Sequence, residues 1–379
     1  MKVLVVWSGA VVPAYRQFFR ELARYMRVRV LAPRRWTHGS VDFTAGTAGG
    51  GDRSGAEGDR DCRIVATAYL PPGSSRYLVP ALPWHLWSFR PRWLYIMDEM
   101  DRPSLSWNAL LAKLAWPPVR IVSYSLQNLA APGYYRWHHR LALRINRTLV
   151  SRAIAASGEA AEVLKSHGYP GPRRVIPLWG SEGFFVPADR SEIAARRQAL
   201  GVPEDALVLL YAGSLAEAKG LLLLRDVLPR FPRIRLVAAG HGPLEGAMRE
   251  GLGAQWIHQG GLEGEALLRF YQSGDYIILP SLTGGDWKEQ IGRSLIEGIL
   301  CGCVALGSDS GHIPELTLFP ETTFRQGDTS SLERMLAGLP LPGAVAIRGA
   351  QRLNVAERFT AAAVARQTHD FLAETGAAP

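Results

Sequence analysis

Two glutamates, Glu289 and Glu297, lie eight positions apart in the stretch DWKEQIGRSLIEGILCGCVALGSDSGHIPEL, residues 286–316. The stretch predicts a loop that ends near Gly292 and a helix over 294–300, so Glu297 lies about one turn inside the helix. Free backbone N–H groups and the positive end of the helix dipole favour an anion at such a start. A carboxylate also matches a vicinal diol, because its two oxygens accept from two hydroxyl groups. The pattern suits a ligand that carries both a diphosphate and sugar hydroxyls, although a solvated helix face would show the same spacing.

The glycine-rich ends of two other predicted strands accompany this motif. YAGSLAEAKG (211–220) ends a buried strand in glycine and presents Lys219 from the following turn, and AAGHGP (238–243) ends another strand in a similar loop. Apolar strands alternate with helical stretches of about ten to fifteen residues in both halves of the chain, which predicts parallel sheets. The expected fold class is α/β, with two doubly wound domains that face each other across a cleft. Ligands of such sheets bind beyond the carboxyl ends of the strands.

The length and composition are those of a folded protein with two domains. The chain has 379 residues, of which 47% are hydrophobic and 20% are charged, and this length exceeds one ordinary core. No apolar run reaches the roughly 18 residues that span a bilayer, and the opening MKVLVVWSGA favours a strand over a signal peptide. Cys62, Cys301 and Cys303 fit neither a disulfide framework nor a zinc spacing. We therefore expect a cytoplasmic protein with reduced, buried cysteines.

Positive charge and tryptophan are concentrated in the first half of the chain. Residues 1–178 hold 25 Lys and Arg against 11 Asp and Glu, and eight of the 11 tryptophans. Segments such as YLVPALPWHLWSFRPRW and YYRWHHRLALRINR mix aromatic with basic residues, which suits peripheral contact with an anionic membrane. A solvated basic surface and ordinary core packing would explain the same composition. We expect no nucleic-acid partner, because no recognisable binding module accompanies the charge.

The three C-terminal motifs resemble the carboxy-terminal domain of retaining glycosyltransferases of family four, which have the GT-B fold. The family pattern is a GRL…EKG strand and turn, a G-x-GP loop, and PS…E-x-FG-x-x-x-x-EA-x-x-x-G-x-PV…GG-x-x-E. This chain carries these elements in order in YAGSLAEAKG, AAGHGP and LPSLTGGDWKEQIGRSLIEGILCGCVALGSDSGHIPEL. In the first half, MKVLVV…VPAYRQFFRELAR, YIMDEMDRPS and SYSLQN resemble family segments in the right order, as found in bacterial members that build polysaccharides and the cell envelope.

The resemblance covers nearly the whole chain and implies a division into domains. It implies an acceptor-binding Rossmann-like domain over 1–180. The resemblance does not extend to residues 44–61, whose Gly-, Ala- and Asp-rich sequence without periodicity predicts a flexible surface loop. A nucleotide-sugar-binding Rossmann-like domain over 181–352 would follow. A terminal helix over 353–379, which includes RFTAAAVARQ, would pack back on the first domain. The segment SEGFFVPADRSEIAARRQALGVPED resembles a linker into the second domain.

The resemblance also assigns roles to individual residues. Lys219 would neutralise the donor diphosphate, and Glu297 would hold the ribose hydroxyls. Glu289 would bind hydroxyls of the transferred sugar, so that Lys219 and Glu289 are the expected catalytic residues. Gly9 in the first loop would let the backbone approach the donor closely. The other expected donor-binding residues are Gly213, Ser214, Gly242, Gln290, Ile291, Gly292 and Arg293.

The chain departs from the family pattern at two places. Ser214 stands where the family usually has an arginine, which removes one cation from the diphosphate site, and Arg293 could compensate. The histidine that many members carry in the amino-terminal cleft is not evident, and Gln127 or Asn128 occupies the comparable strand end. We expect Glu99, Gln127 and Asn128 to bind the acceptor, with a strand cap or turn as the alternative role of the two amides.

The implied activity is that of a retaining hexosyltransferase without a metal or a cofactor. The donor would be a UDP- or GDP-sugar, and the acceptor a polysaccharide or a lipid-linked molecule. No aspartate pair after a strand marks a metal-dependent site, so Lys219, backbone amides and a helix dipole would stabilise the departing diphosphate. The expected location is the cytoplasm, with the inner face of the membrane as an option.

Two other functions remain open from the sequence. A sugar-nucleotide-binding protein of the same fold could have lost turnover, as the serine at position 214 suggests. A sugar-nucleotide epimerase of the same architecture would interconvert donor sugars and need no acceptor.

Overall fold

A computed structural model of the chain describes residues 1–38, 41–44, 61–71, 76–130, 136–180, 183–285 and 287–374. The chain divides into two compact units, Met1–Trp179 with Ala361–Pro379, and Gly180–Thr360. The loop predicted at 44–61 lies, apart from its two end residues, outside the described residues. Across the described ranges, no helix has the length and apolar character needed to cross a bilayer.

Strands and helices alternate along both units. The strands are β1 Lys2–Val6, β2 Arg27–Pro33, β3 Arg35–His38, β4 Val41–Thr44, β5 Cys62–Thr67, β6 Trp93–Ile96, β7 Arg120–Ser125, β8 Arg152–Ala155, β9 Arg173–Val175, β10 Leu207–Ala212, β11 Ile234–Ala239, β12 Trp256–His258, β13 Tyr276–Leu279, β14 Val304–Ser308 and β15 Thr323–Phe324. The helices are α1 Gln17–Ala23, α2 Leu82–Phe89, α3 Pro103–Ala115, α4 Trp137–Leu149, α5 Gly158–Ser166, α6 Arg190–Ala199, α7 Leu221–Val227, α8 Glu245–Leu252, α9 Gly264–Tyr271, α10 Arg293–Leu300, α11 Pro314–Thr317, α12 Thr329–Ala337, α13 Ala344–Arg358 and α14 Ala361–Ala373. Short 3-10 helices lie at Ser8–Val11, Pro13–Arg16, Glu217–Lys219, Leu228–Arg230, Gly253–Gln255 and Pro320–Thr322.

The first unit is a parallel sheet that is covered on both faces. Its order is β5-β2-β1-β6-β7-β8-β9, and all neighbouring strands run parallel. Along β1, Val3 and Val5 pack into one apolar cluster with α1 and α14, whereas Leu4 and Val6 pack into another with α2 and α3. Successive residues of a strand point to opposite faces, so both faces of this sheet are buried. Strands β3 and β4 form a separate antiparallel ribbon.

The second unit is also a parallel sheet, with the order β12-β11-β10-β13-β14-β15. From β10 the chain proceeds outward to β11 and β12, and from β13 it proceeds in the opposite direction to β14 and β15. The strand order therefore reverses between β10 and β13, and ligands of doubly wound sheets bind at such a point. The predicted fold class of two doubly wound parallel sheets is confirmed.

Two segments differ from the elements predicted for them. The predicted linker contains helix α6, which Asp189 and Glu192 begin with a reciprocal capping box: the Glu192 N–H donates to Asp189 Oδ1 at 2.8 Å, and the Asp189 N–H donates to Glu192 Oε2 at 3.2 Å. The C-terminal helical stretch is two helices, because α13 ends at Arg358 and α14 begins at Ala361. Residues 353–360 consequently lie in the second unit.

A buried glutamine ties α13 to the edge of the second sheet. Strand β15 pairs only with Gly307 and Ser308 of β14, which leaves the backbone of Ala305 without a strand partner on that side. The Gln351 side chain fills this place, because its Oε1 accepts from the Ala305 N–H at 2.8 Å and its Nε2 donates to the Ala305 carbonyl at 3.0 Å. The same Nε2 donates to the carbonyl of Thr317 at 2.8 Å. One side chain thus satisfies three buried backbone groups.

We predict that Gln351→Leu lowers the free energy of unfolding by roughly 2–4 kcal/mol, because a buried polar group that loses its partner costs about 1–3 kcal/mol. Urea unfolding at neutral pH would measure the change. The exposed neighbour Arg352→Leu is the control and should stay within about 0.5 kcal/mol of the parent. Equal stability of the Gln351 variant and the parent would contradict the assignment.

Candidate donor site

A cavity of about 380 Å³ opens in the second unit at the carboxyl ends of β10, β11 and β13. Pockets of about 300–1,000 Å³ are typical for small-molecule ligands. The cavity lies where the strand order reverses, so its position follows from the topology of the sheet. Five predicted donor-binding residues line the cavity, namely Gly213, Lys219, Glu289, Arg293 and Glu297.

An ion pair between Lys219 and Glu289 lies at this cavity. The Lys219 Nζ is 2.7 Å from Glu289 Oε2, and both side chains are largely shielded from solvent. The same Nζ lies 4.5 Å from the ring centroid of Trp287, in cation–π range. An ammonium group has three N–H donors, so a lysine that contacts Glu289 can also donate to a bound anion. The chain therefore brings together the two residues that were predicted to be catalytic, although 70 positions separate them.

Backbone and side-chain contacts hold Glu289 in place. The Ser281 hydroxyl, two residues after β13, donates to Glu289 Oε2 at 2.8 Å. The Glu289 carbonyl accepts from the N–H of His312 at 3.3 Å. A Cβ atom at Gly311 would lie 2.0 Å from that same carbonyl oxygen. The loop that carries Glu289 is therefore packed directly on the loop that follows β14.

Glu297 lies within helix α10 and lines the same cavity. Its Oε2 accepts from the Tyr271 hydroxyl at 2.8 Å, and its Oε1 is 3.7 Å from Arg293 Nε. Burial raises the pKa of Glu297, whereas Arg293 and the Tyr271 hydroxyl lower the pKa and offset part of the effect. A buried carboxylate with one oxygen near the cavity can accept further hydrogen bonds from a ligand. Glu297 thus has the geometry of a hydroxyl acceptor.

Two glycines allow the backbone to shape this cavity. Gly292 precedes α10 with a φ of +63°, a left-handed conformation that residues with a side chain rarely adopt. Gly240 has a φ of +130°, and a Cβ there would lie 1.9 Å from the carbonyl oxygen of Gly213. The ends of β10 and β11 can therefore approach each other only without side chains. The cavity wall at this point is bare backbone.

Other predicted donor-binding residues lie beside the cavity. Ser214 is exposed, and its carbonyl accepts from the Tyr211 hydroxyl at 2.7 Å. Gln290 is exposed, whereas Ile291 is partly buried against the apolar core. In the described part of the chain, the residues that line the cavity do not include these three. Their contact with a donor stays a prediction.

Two of the predicted glycines have a packing role of their own. A Cβ at Gly242 would lie 2.4 Å from the carbonyl oxygen of Leu215, so the loop after β11 contacts the loop after β10. Gly9 lies in the first unit, within the 3-10 helix Ser8–Val11, and a Cβ there would lie 2.4 Å from the indole ring of Trp7. Packing within the protein therefore favours glycine at both positions, whether or not a ligand binds nearby. The predicted approach of Gly9 to the donor is untested.

The predicted acceptor-binding residues gather at the carboxyl ends of β6 and β7 in the first unit. Glu99 Oε2 accepts from the Ser125 hydroxyl at 2.5 Å, and its Oε1 accepts from the N–H of Leu126 at 2.7 Å. Burial raises the pKa of Glu99 to about 7 despite these hydrogen bonds. Gln127 is buried, and its Nε2 has no hydrogen-bond partner within the described residues, while Asn128 is partly buried. Glu99 is thus a buried carboxyl group that two hydrogen bonds hold at the ends of these strands.

Sequence reasoning missed two residues at the donor site. Ser281 could have been found, because it lies at the end of the strand-like stretch DYIILPS, at the edge of the sheet where ligands bind. Tyr271 could not, because it lies 26 positions from Glu297 at the end of a different helix. Hydrogen bonds between distant elements leave no spacing signal in the chain.

A separate group of side chains of the types that bind metals lies near the carboxyl end of β11. The ligand atoms of His241, Glu245 and His258 are within 4.8 Å of one another, which within the described residues is the one such group. Two of these side chains already have protein partners: His258 Nε2 is 2.8 Å from the Gly240 carbonyl, and Glu245 pairs with Arg249 at 2.7 Å. None of the three lines the cavity as the described residues form it. They form a polar network beside the donor site.

The fold and the cavity define a protein of the GT-B class, in which two parallel-sheet α/β domains occur in one chain. HepE of Anabaena, solved in complex with UDP and glucose, has the same fold, with a TM-score of 0.69 and 18% identity over 98% of this chain and 99% of that chain. Residues 192–318 match the family model for glycosyl transferases group 1. The matched residues lie within the second unit, which also carries the cavity.

Curated relatives match part of the chain. Sulfoquinovosyl transferase SQD2 of Arabidopsis thaliana is 30% identical over 211 residues, which are 52% of this chain and 37% of that protein. Lipopolysaccharide 1,2-N-acetylglucosaminetransferase of Salmonella typhimurium is 28% identical over 156 residues, which are 37% of this chain and 40% of that protein. The matches thus span less than half of the length of these relatives. Both relatives are sugar transferases by name.

We predict that Glu297→Gln becomes more stable than the parent as pH rises. Because burial raises the pKa of Glu297 in the folded state, the folded protein holds a proton that the unfolded chain has already lost. Parent stability therefore falls as pH rises from the unfolded value through the folded value. Glutamine has no such proton, so the difference in urea midpoint between variant and parent should grow between acid and neutral pH. The exposed Glu357→Gln is the control, and an equal trend in both variants would contradict the prediction.

Proposed function

We propose that the chain is a retaining hexosyltransferase that moves a sugar from a nucleotide-sugar donor to a polysaccharide or a lipid-linked acceptor. The observation that carries the proposal is the arrangement at the cavity: Lys219 paired with Glu289, and Glu297 on the adjoining helix, all where a doubly wound sheet binds ligands. The match of the same unit to the glycosyl transferases group 1 model supports it. The resemblance to bacterial cell-envelope enzymes supports the same class.

The donor would bind with its charged centre beside Lys219. The ammonium group would neutralise the diphosphate, and the backbone amides from Gln290 to Gly292, at the positive end of α10, would add hydrogen bonds. Glu297 would accept from the ribose hydroxyls, and Glu289 from hydroxyls of the transferred sugar. Arg293, which lines the cavity, would supply the second cation that Ser214 does not. A uridine nucleotide is the favoured donor, because HepE binds UDP and UDP-glucose.

The reaction needs no nucleophile from the protein. The bond between the anomeric carbon and the diphosphate oxygen breaks, and a bond from that carbon to the acceptor oxygen forms on the same face. The proton of the acceptor hydroxyl passes to an oxygen of the departing diphosphate. Lys219, the amides and the helix dipole stabilise the charge that develops on this leaving group, so the proposed step uses no metal ion.

The acceptor would contact the polar strand ends of the first unit. Glu99, Gln127 and Asn128 lie together there and offer hydrogen bonds to sugar hydroxyls. The Salmonella relative acts on a lipopolysaccharide by name, which supports a lipid-linked glycan as the acceptor. With such an acceptor, the proposed reaction would take place at the cytoplasmic face of a membrane. The inferred location is the cytoplasm, with peripheral contact to that membrane.

We predict that UDP and UDP-sugars raise the melting temperature more than GDP or ADP compounds. A ligand that binds only the folded state at 100 times its Kd adds about 2.7 kcal/mol. For a domain of this size, that corresponds to about 5–10 °C. A thermal-shift series with the three nucleotides and their glucose derivatives would measure the preference. No shift with any of them would argue against a donor site.

We predict that Lys219→Ala lowers kcat of sugar transfer roughly 100- to 1,000-fold, because a preorganised charge at the leaving group contributes about this much. The assay would follow release of UDP in the presence of an acceptor glycan. Lys165→Ala removes an exposed lysine of the first unit and should leave kcat unchanged.

The same assay separates the proposed function from its alternatives. Near-normal kcat in the Lys219 variant would contradict the proposed role. Nucleotide binding without transfer in the parent would indicate a binding protein instead. Conversion of the donor sugar without an acceptor would indicate an epimerase.

A further inference from the structure

Three neighbouring helices of the first unit carry large apolar side chains that face solvent. Helix α3 packs between α2 and α4. Trp84 is 65% exposed, Leu114 is 82% exposed and Trp137 is 74% exposed. The exposed apolar residues that define this three-helix face are Trp84, Trp87, Trp107, Leu110, Leu114 and Trp137. Large apolar side chains that are exposed together on neighbouring helices point to an interaction site.

Folding of the first unit does not account for these side chains. The opposite sides of the same helices already supply the core, through Leu82, Leu86 and Leu105. On α3 the exposed residues recur at positions 107, 110 and 114, which is the spacing of one helix face. Helix α3 is therefore apolar on its outer side as well as its inner side. The apolar side chains on the outer side of α3 are therefore available to contact an apolar surface outside the first unit.

The charged residues on the three helices are all basic. The sequences of α2, α3 and α4 contain no Asp or Glu. Helix α4 exposes Arg140 and Arg144 beside Trp137 and Leu141. The acidic residues that precede α3 turn inward, because Asp101 is fully buried and Glu99 accepts a hydrogen bond from Ser125. The first acidic residue after α4 is Glu159, ten positions beyond the end of the helix, and it is partly buried. A partner for this face must therefore offer both an apolar region and negative charge.

We propose that the three-helix face docks on the surface of a bilayer that contains anionic lipids. Tryptophan is the side chain that best suits the boundary between headgroups and acyl chains, because its ring is apolar and its N–H is polar. The arginines of α4 would contact lipid phosphates at the same depth. A bilayer offers the apolar layer and the negative surface together, and it can cover three helices at once. The proposal rests on the proposed function in one respect, since it names the surface that would make the peripheral membrane contact. Its evidence comes from the first unit, so vesicle binding can fail while nucleotide binding at the donor cavity succeeds.

Vesicle binding by the full chain tests the proposal. The parent should sediment with equimolar phosphatidylcholine and phosphatidylglycerol vesicles, and should bind pure phosphatidylcholine vesicles much more weakly. The variant with Trp84→Ser, Trp87→Ser and Trp137→Ser should partition at least about tenfold less into the anionic vesicles. The variant with Arg140→Gln and Arg144→Gln should lose about fivefold for each arginine, and most of the salt dependence.

A matched control comes from the second unit. Val345→Ser with Leu353→Ser removes two exposed apolar residues of α13, and this variant should bind vesicles like the parent. Melting temperatures would verify that all variants fold. The proposal fails if the parent does not bind anionic vesicles, or if the tryptophan variant binds them as well as the parent does. It also fails if the parent is a dimer that the tryptophan variant converts to a monomer, because a second copy would then cover this face.

Discussion

The ion pair between Lys219 and Glu289 is the constraint on which the donor site depends. Both groups are largely withdrawn from water, and removal of one partner from such a pair leaves an uncompensated charge. Each residue therefore holds the other in position before any ligand arrives. The Ser281 hydroxyl adds a hydrogen bond to the same carboxylate oxygen. A site that is charged and fixed beforehand does not need to reorganise when negative charge develops in a ligand.

The backbone of the parallel sheet makes this pair possible. Lys219 follows β10, Ser281 follows β13, and the Glu289 loop packs against the residues after β14. Three strand ends therefore meet at one edge because all the strands run in the same direction. Glycines bring the loops close enough, as the contact between Gly240 and Gly213 illustrates. The strand order of the sheet thus determines where the site lies. Glycines such as Gly213 and Gly240 allow the loops around the site to pack closely against each other.

The sequence was sufficient to predict features that depend on residues close together in the chain. Alternating strands and helices were sufficient for the fold class, and the glycine at position 292 marked the start of α10. The sequence could not predict that Tyr271 donates to Glu297, or that Gln351 closes the edge of β14, because both contacts join elements far apart in the chain. The capping box at Asp189 was visible locally, but the segment was predicted to be a linker because it resembles the one that leads into the second domain. Local sequence patterns are therefore sufficient to predict the strands and helices. The polar contacts that join distant elements become evident only in the folded structure.

Tryptophan content illustrates a limit of composition as evidence. Trp93 and Trp84 are nine positions apart in the same basic half of the chain. Trp93 is fully buried, and its indole N–H donates to the carbonyl of Leu372 at 3.1 Å, so this residue serves the core. Trp84 faces solvent on a helix whose other side already packs in the core. A helix that is apolar on both sides is stable in water only when its second side is also covered. The proposed bilayer contact would account for both the basic excess of this half and its exposed tryptophans, because a bilayer with anionic lipids is apolar inside and negative at its surface.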